Sequence, residues 1–324
     1  MPLIKAVGID LAKLVFSIHG VDVNDKCKLR KTVKRNKLLA EVAKLPPCII
    51  AMEACSGAHY WAREFTKLGH DVRIMASKFV IPYRQSEKND ANDAEAICEA
   101  ATRPKTRFVS IKSEEQQAVL CLHRIRQGAI KDRTARINRL RGLLSEFGII
   151  IPKGRYPLQN AMSGVLEDAE NGLPFLAREL LNDLWQSIKG LNEEILKYDR
   201  KLYALANQMK DAKRLMSIPG IGEITATAVV ATVNDAKHFE TSRSFAAWIG
   251  LVPRQHSTGG VVRLGRISKR GEKHIRTSLI HGARAVIANC KNKTDRTSLW
   301  VKDLVERRGF KRATVALAAK NARL

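Results

Sequence analysis

Four acidic residues near the start of the chain have the types and spacing that metal-assisted phosphoryl chemistry requires. Asp10 and Glu53 each follow directly after an apolar run that predicts a strand, and Asp90 and Asp93 stand three residues apart at the start of a predicted helix. Oxygen ligands of this number suit Mg²⁺ or Mn²⁺, and such ions stabilise the attacking and leaving oxygens of a phosphoryl displacement. Taken singly, each acid could instead be a turn or helix cap, with Asp93 as the N-cap of its helix.

Two hydroxyls followed by two glycines form a second candidate site, Ser257-Thr258-Gly259-Gly260. The glycines predict an exposed, adaptable loop. A serine hydroxyl is a weak nucleophile without help, and basic side chains that bind a scissile phosphate could supply that help. The residues alone fit equally well a loop that only binds nucleic acid, with both hydroxyls donating hydrogen bonds to phosphates. The basic residues around the loop are Arg254, Arg263, Arg266, Lys269, Arg270 and Arg276.

A third feature is the Pro-Gly-Ile-Gly sequence at residues 219–222, between two predicted helices. Gly220 and Gly222 would let the backbone approach a phosphate closely, and the N–H groups that open the second helix could bind it. The pattern resembles a helix-hairpin-helix, which contacts the DNA backbone without reading sequence. The alternative is a plain interhelical turn.

The elements that must position these residues divide the chain into three predicted domains. Residues 1–110 alternate strands and helices, which indicates an α/β domain. Residues 111–210 contain a long basic helix and then a helix with apolar residues at alternating spacings of three and four, which favours a coiled coil over an amphipathic helix on a globular core. Residues 211–324 are mainly helical. The apolar seam of the second long helix consists of Leu181, Leu184, Ile188, Leu191, Ile195, Tyr198, Leu202, Leu205 and Met209.

Charge is the strongest signal in the composition, since the formal net charge is +25. Residues 103–141 carry 11 Lys and Arg against 3 Asp and Glu, and residues 211–324 carry 22 against 8. An excess of this size predicts a polyanionic partner. The six cysteines are scattered without a C-x-x-C pair, which argues against a zinc site and for a reducing cytoplasm. The N-terminus lacks a signal-peptide pattern, and no apolar run is long enough to suggest a membrane span.

Motifs in order along nearly the whole chain resemble one family. They lie at residues 8–13, 52–57, 88–94, 218–222, 250–254, 257–260 and 267–271. Together they are similar to the D-E-D-D/serine transposases of bacterial insertion sequences. These transposases are relatives of the Piv DNA invertase, and they act as bridge-RNA-guided recombinases. The family motif centres on a Ser directly before Gly, a position that Thr258 occupies here. Serine is the nucleophile of the family, and a shift of one residue in a glycine loop is easily absorbed. We therefore take Ser257 as the expected nucleophile and Thr258 as the alternative.

The resemblance implies an RNase H/RuvC-like N-terminal domain, a helical coiled-coil insertion and a mainly α C-terminal transposase domain. Asp10, Glu53, Asp90 and Asp93 would bind Mg²⁺ or Mn²⁺, and a serine would form a covalent 5′-phosphoserine link to DNA. Expected partners are target and donor DNA, a structured guide RNA that pairs with both, and further copies of the chain in a dimer to tetramer with composite active sites. The expected setting is the bacterial cytoplasm.

Two other functions are compatible with these residues. A RuvC-like metal-dependent endonuclease acting on branched DNA would need the four acids and a water molecule, but not the hydroxyl loop. A non-catalytic nucleic-acid-binding scaffold would need neither, and its acids would be caps.

Overall fold

The computed structural model describes residues 3–85, 87, 89–233 and 235–324. Lys88, which begins the third motif, lies outside these residues. The chain folds as two compact units that divide between Ser113 and Glu114.

The described part of the first unit contains a six-stranded sheet in the order β3-β2-β1-β4-β5-β6. β1 pairs antiparallel with β2 and parallel with β4, and β4 pairs parallel with β5. The strands are β1 Ile4–Leu11, β2 Val15–Asp22, β3 Cys27–Lys34, β4 Ile49–Glu53, β5 Asp71–Met75 and β6 Phe108–Val109. The helices are α1 Leu38–Val42, α2 Ala58–Lys67, α3 Ser77–Val80 and α4 Asp90–Thr102, with 3₁₀ turns at Arg35–Lys37 and Ile81–Tyr83.

Both faces of the sheet are covered, so its central strands are continuously apolar. Val7 and Ile50 project to the face that carries α2, where they share a core with Phe65. Ala51 projects to the other face and packs with Ile97 of α4. Since side chains alternate along a strand, this arrangement fixes which face each later residue of β1 and β4 takes.

The second unit is mainly helical. Its helices are α5 Glu114–Glu146, α6 Arg155–Glu167, α7 Phe175–Gln208, α8 Lys210–Met216, α9 Glu223–Thr232, α10 Ser242–Trp248, α11 Lys273–Ala288, α12 Arg296–Arg308 and α13 Phe310–Asn321. A 3₁₀ turn spans Ala236–His238, and two short strands, β7 Pro253–Gln255 and β8 Leu264–Ile267, form a hairpin.

The heptad seam of α7 packs against α5. Leu181, Ile188, Ile195 and Leu202, one in every seven residues, are buried, and the alternate seam positions are partly buried. The spacing thus predicted the buried stripe of this helix. Helices α8 to α13 surround a separate core of small and aliphatic side chains that includes Ala226, Leu279 and Leu317.

The structure differs from the sequence-based expectations at several boundaries. α4 begins at Asp90 and is capped by Asn89, whose side-chain oxygen accepts the Asn92 backbone N–H at 2.8 Å, so Asp93 is not the N-cap. The sequence of residues 77–89 predicts a polar loop, but residues 77–83 form two short helical turns. Among the described residues, no helix has the length and apolarity needed to cross a membrane.

A buried histidine joins α5 to the helices of the C-terminal core. His123 is 3% exposed, and its Nε2 lies 3.0 Å from the Thr227 hydroxyl, which itself donates to the Glu223 carbonyl oxygen. Nε2 is therefore the protonated nitrogen, and Nδ1 has no hydrogen-bond partner among the described residues. Burial, followed by the neighbouring His274 and Arg126, lowers the pKa of His123 to about 4.

We expect this histidine to make the second unit sensitive to acid. The unfolded chain protonates His123 near pH 6.5 and the folded chain only near pH 4, so the free energy of unfolding falls as the pH drops through this window. Across this window, protonation of His123 lowers the free energy of unfolding by on the order of 3 kcal/mol. His123→Gln keeps a donor for Thr227 but does not titrate. Denaturant unfolding between pH 7 and 4 should show a shallower loss of stability in this variant, and equal slopes would contradict the assignment.

Candidate functional site

Asp10 and Glu53 lie side by side at one edge of the sheet. β1 and β4 run parallel with Ile9 paired to Met52, so the next residue of each strand brings the two acids to neighbouring positions. Both also share the face of Ala51, which is covered by α4. The expectation that acids following successive buried strands meet at one sheet edge therefore agrees with the register of these two strands.

Helix α4 brings Asp90 and Asp93 toward the same edge. A β-carbon placed on Gly8 would lie 2.2 Å from the Ala94 carbonyl oxygen, so only glycine permits this approach. Farther along, the Cys98 thiol donates to the Ala6 carbonyl oxygen at 3.5 Å. The helix therefore runs opposite to β1, and its first turn, with both aspartates, lies at the end of the strand where Asp10 stands.

The carboxylates already have protein partners at this edge. Glu53 accepts a hydrogen bond from the Ser77 hydroxyl, and an Asp93 oxygen lies 3.4 Å from Arg84 Nη1. Partial desolvation, followed by the negative charges of Glu53 and Asp10, raises the pKa of the Cys55 thiol. Both carboxylates therefore act electrostatically on one point beyond the strand ends.

The donor set at this edge fits a hard divalent cation, because it consists of carboxylate oxygens from two strands and one helix. In the described ranges, however, no three His, Cys, Asp or Glu side chains lie close enough together to hold a metal ion. The four acids share an edge and a sheet face without being assembled into a ligand set.

The two hydroxyls lie near the tip of the β7–β8 hairpin rather than in an irregular loop. Gln255 pairs with Leu264, and Thr258 pairs with Val261. The backbone N–H of Val261 donates to the Thr258 carbonyl oxygen at 3.0 Å across two glycines that both have positive φ, as a tight type I′ turn requires. These pairs place Ser257 opposite Val262.

The hairpin presents two chemically different faces, since directly opposed residues project to the same side. The Gln255 side-chain amide donates to the Ser257 hydroxyl at 2.8 Å, which agrees with this assignment. Ser257 therefore lies on the opposite face from both His256 and Thr258. We call one side the apolar face, with Gln255, Ser257, Val262 and Leu264. The other is the cationic face, with Arg254, His256, Thr258, Val261 and Arg263.

Arg276 does not take the surface position expected of a phosphate ligand. It is 8% exposed, and its Nη1 donates to the carbonyl oxygens of Ile249 at 2.8 Å and Arg270 at 3.1 Å. These two carbonyls belong to the segments that enter and leave the hairpin, so the buried guanidinium holds its base together. The other predicted cations of this region, Arg254, Arg263, Arg266, Lys269 and Arg270, are exposed.

The Pro-Gly-Ile-Gly turn uses its first glycine for packing. Gly220 has a φ of 90°, and a β-carbon there would lie 2.9 Å from the Gly282 carbonyl oxygen of α11. Asn321 also donates to the Pro219 carbonyl oxygen at 2.8 Å. Gly222 has open space around it and directly precedes α9. Of the pair, Gly222 therefore has the position that could approach a phosphate.

Sequence reasoning missed three residues of these sites. Ser77 lies two residues beyond the end of β5, so a search of the polar residues just past each predicted strand could have identified it. Gln255 lies two residues before Ser257, which is the spacing of one strand face. Arg84 lies in the segment assigned to a polar loop, and its contact with Asp93 had no signal in the sequence.

We expect Arg276→Met to loosen the hairpin, because two buried backbone carbonyls lose a charged donor. Local opening should become about tenfold more frequent, corresponding to about 1.4 kcal/mol. Limited trypsin digestion after Arg263 and Arg266 measures this opening.

Arg284→Met is the matched control, since Arg284 is exposed on the same helix and its loss changes the net charge equally. Equal digestion rates in the two variants would show that Arg276 does not hold the base of the hairpin.

Comparisons with known proteins agree along the whole chain. A model described as the transposase IS116/IS110/IS902 family matches residues 212–298, which include the hairpin. A second model, described as a transposase, matches residues 7–149, which include the four acids.

Individual relatives extend this similarity. The chain is 49% identical over 322 residues to a probable family 20 transposase of Pseudomonas aeruginosa, covering 99% of this chain and 95% of the relative. It is 45% identical over 319 residues to the transposase for insertion sequence element IS1111A of Coxiella burnetii, covering 98% and 88%. A pilin gene-inverting protein of Moraxella lacunata is 28% identical over 98 residues, 29% of this chain and 30% of that protein. The chain therefore belongs to the IS116/IS110/IS902 family of insertion-sequence transposases, and its enzymatic activity is DNA transposition.

Proposed function

We propose that the chain cuts and rejoins DNA through a hydroxyl of the β7–β8 hairpin, with Ser257 as the nucleophile and Thr258 as the alternative. The observation that carries this proposal is the position of both hydroxyls near the tip of an exposed hairpin that also bears Arg254 and Arg263. Exposed cations bind phosphate and offset the charge that develops during its displacement. The primary hydroxyl of Ser257 is also less hindered than that of Thr258.

The proposed reaction conserves the energy of the phosphodiester bond. The Ser257 oxygen attacks phosphorus, the bond from phosphorus to the 3′ oxygen breaks, and the serine proton passes to the departing 3′ oxygen. The 5′ phosphate is then esterified to the protein. A 3′ hydroxyl of the partner strand later attacks the same phosphorus, takes the phosphate and releases the serine with its proton restored. No nucleotide cofactor is consumed.

The acids would support this reaction from an RNase H/RuvC-like domain. Asp10, Glu53, Asp90 and Asp93 would hold Mg²⁺ or Mn²⁺, which when bound supplies positive charge beside the phosphate. The pairing of β1 with β4 and the course of α4 support this part of the proposal. Ser77 and Arg84 would position two of these carboxylates through the contacts described above.

The remaining cations are proposed to bind the nucleic-acid backbone. Arg266, Lys269 and Arg270 are exposed near the base of the hairpin, and Gly222 is the N-cap of α9, next to the backbone N–H groups of its first turn. With a net charge of +25, the chain is suited to bind more than one strand of nucleic acid. We therefore include target DNA, donor DNA, a structured guide RNA and further copies of the chain, in a dimer to tetramer, as partners in the bacterial cytoplasm.

A trapped protein–DNA adduct tests the chemistry. DNA that spans one end of the insertion sequence encoding this chain carries a label at the 3′ end of the cleaved strand, the side that stays attached to the protein. It is incubated with Mg²⁺ and with the protein purified together with its bound RNA, and is then denatured. We expect a covalent adduct through phosphoserine. Ser257→Ala should reduce its yield by at least about a thousandfold, because the nucleophile is lost.

Four outcomes make this test decisive. Loss of the adduct in Thr258→Ala but not in Ser257→Ala would move the nucleophile to Thr258. Cleavage without any adduct would favour the water-using endonuclease. Cleavage that persists in Asp10→Asn would contradict the role of the acids, and the absence of any cleavage would leave a nucleic-acid-binding scaffold.

Bound RNA provides a separate test of guidance. The protein is purified from cells that carry the complete insertion sequence, and its RNA is sequenced. We expect one homogeneous RNA encoded by the element, with segments complementary to both DNA partners. A random sample of cellular RNA would contradict guidance without affecting the proposed hydroxyl chemistry.

A further inference from the structure

The apolar face of the hairpin carries large aliphatic side chains that nothing in the described structure covers. Val262 and Leu264 are each 64% exposed. They are the cross-strand neighbours of Ser257 and Gln255, so the proposed nucleophile stands among them. The base of the hairpin, in contrast, is anchored in the core by Val252 and Ile267. The exposed pair therefore contributes little to the packing of the unit.

Charge identifies the class of partner that covers this face. Arg254 and Arg263 project from the reverse side of the same two strands, and Arg266 lies beside them. Two copies that met through this face would bring the arginines of both hairpins close together, so we expect the contacts between copies in the proposed dimer to tetramer to lie elsewhere. DNA offers both required surfaces, since its phosphates complement the arginines and its sugars and bases provide apolar contacts.

We propose that Val262 and Leu264 are base-contacting residues that pack between or against the nucleotides next to the scissile phosphate. This inference rests on the proposed function and extends it to the substrate contacts of the same hairpin. Aliphatic side chains that enter a base step unstack it and bend the duplex while arginines hold the flanking phosphates. The apolar contact also removes water from around Ser257, which favours attack by a 3′ hydroxyl over hydrolysis of the phosphoserine link.

The chain offers a matched pair for the test. Val261 and Val262 are adjacent, have the same side chain and are 57% and 64% exposed, but they project to opposite faces of the hairpin. Val262→Asn and Val261→Asn leave the net charge unchanged, so the electrostatic part of DNA binding is the same in both. Leu264→Gln is a second variant of the apolar face.

The probe is a duplex of about 40 base pairs that spans one end of the insertion sequence, with 2-aminopurine beside the cleavage position. It is added to each variant purified together with its bound RNA. All variants carry Ser257→Ala and Thr258→Ala, so that binding is read without cleavage. The parent should raise 2-aminopurine fluorescence through unstacking. Val262→Asn and Leu264→Gln should abolish this rise and weaken binding roughly fivefold, the loss expected when one partly buried aliphatic contact disappears. Val261→Asn should retain both signals.

Equal effects of Val261→Asn and Val262→Asn, or no effect of either, would overturn the inference. A change in solution mass without DNA in Val262→Asn, measured by light scattering, would also overturn it in favour of a contact between copies. The two proposals fail separately. If the unmutated hydroxyls form the adduct but the valine variants behave alike, the base contact is wrong. If no adduct forms but the fluorescence difference persists, the hydroxyl chemistry is wrong.

Discussion

The close approach of α4 to β1 at Gly8 is the constraint on which the acidic edge depends. Any larger residue would place its β-carbon 2.2 Å from the Ala94 carbonyl oxygen, and the helix would have to move away from the sheet. Because Asp93 directly precedes Ala94, the contact that fixes the helix also fixes how far the two aspartates lie from the strand ends. One backbone contact therefore sets the position of the two aspartates of α4 relative to the acids on β1 and β4.

The second unit fixes the base of its hairpin and leaves the rest of it exposed. Arg276 bridges the carbonyls on either side of the hairpin from within the core, and Ile267 packs into that core. From Arg254 to Leu264 every residue is exposed. A rigid base with an exposed tip suits a substrate-contacting element, because the backbone direction is fixed while the side chains remain free to bind.

The spacing of apolar residues, and the acids that follow apolar runs, predicted much of this architecture. The apolar runs before Asp10 and Glu53 identified two strands, and the heptad spacing identified the buried stripe of α7. The hairpin was not foreseen, because its strands are short and polar and two glycines also fit an irregular loop. Arg276 was misplaced for a different reason: among many exposed arginines, composition cannot show which one turns inward to bind backbone carbonyls.

Sequence composition also cannot show which of the two hydroxyls is the nucleophile. In the sequence Ser257 and Thr258 are neighbours in one basic loop, so both share the same positive surroundings. Strand alternation separates them, because it places Thr258 with Arg254, His256 and Arg263 and places Ser257 with Val262 and Leu264. If phosphate affinity alone selected the nucleophile, the cationic face would favour Thr258. Protection of the covalent link from water favours Ser257, since an ester between aliphatic neighbours is less accessible to hydrolysis. A recombinase must preserve that ester until the partner strand arrives, whereas a nuclease has no such need. In the proposed mechanism, the apolar surroundings of Ser257 would therefore serve rejoining, which simple cleavage does not need.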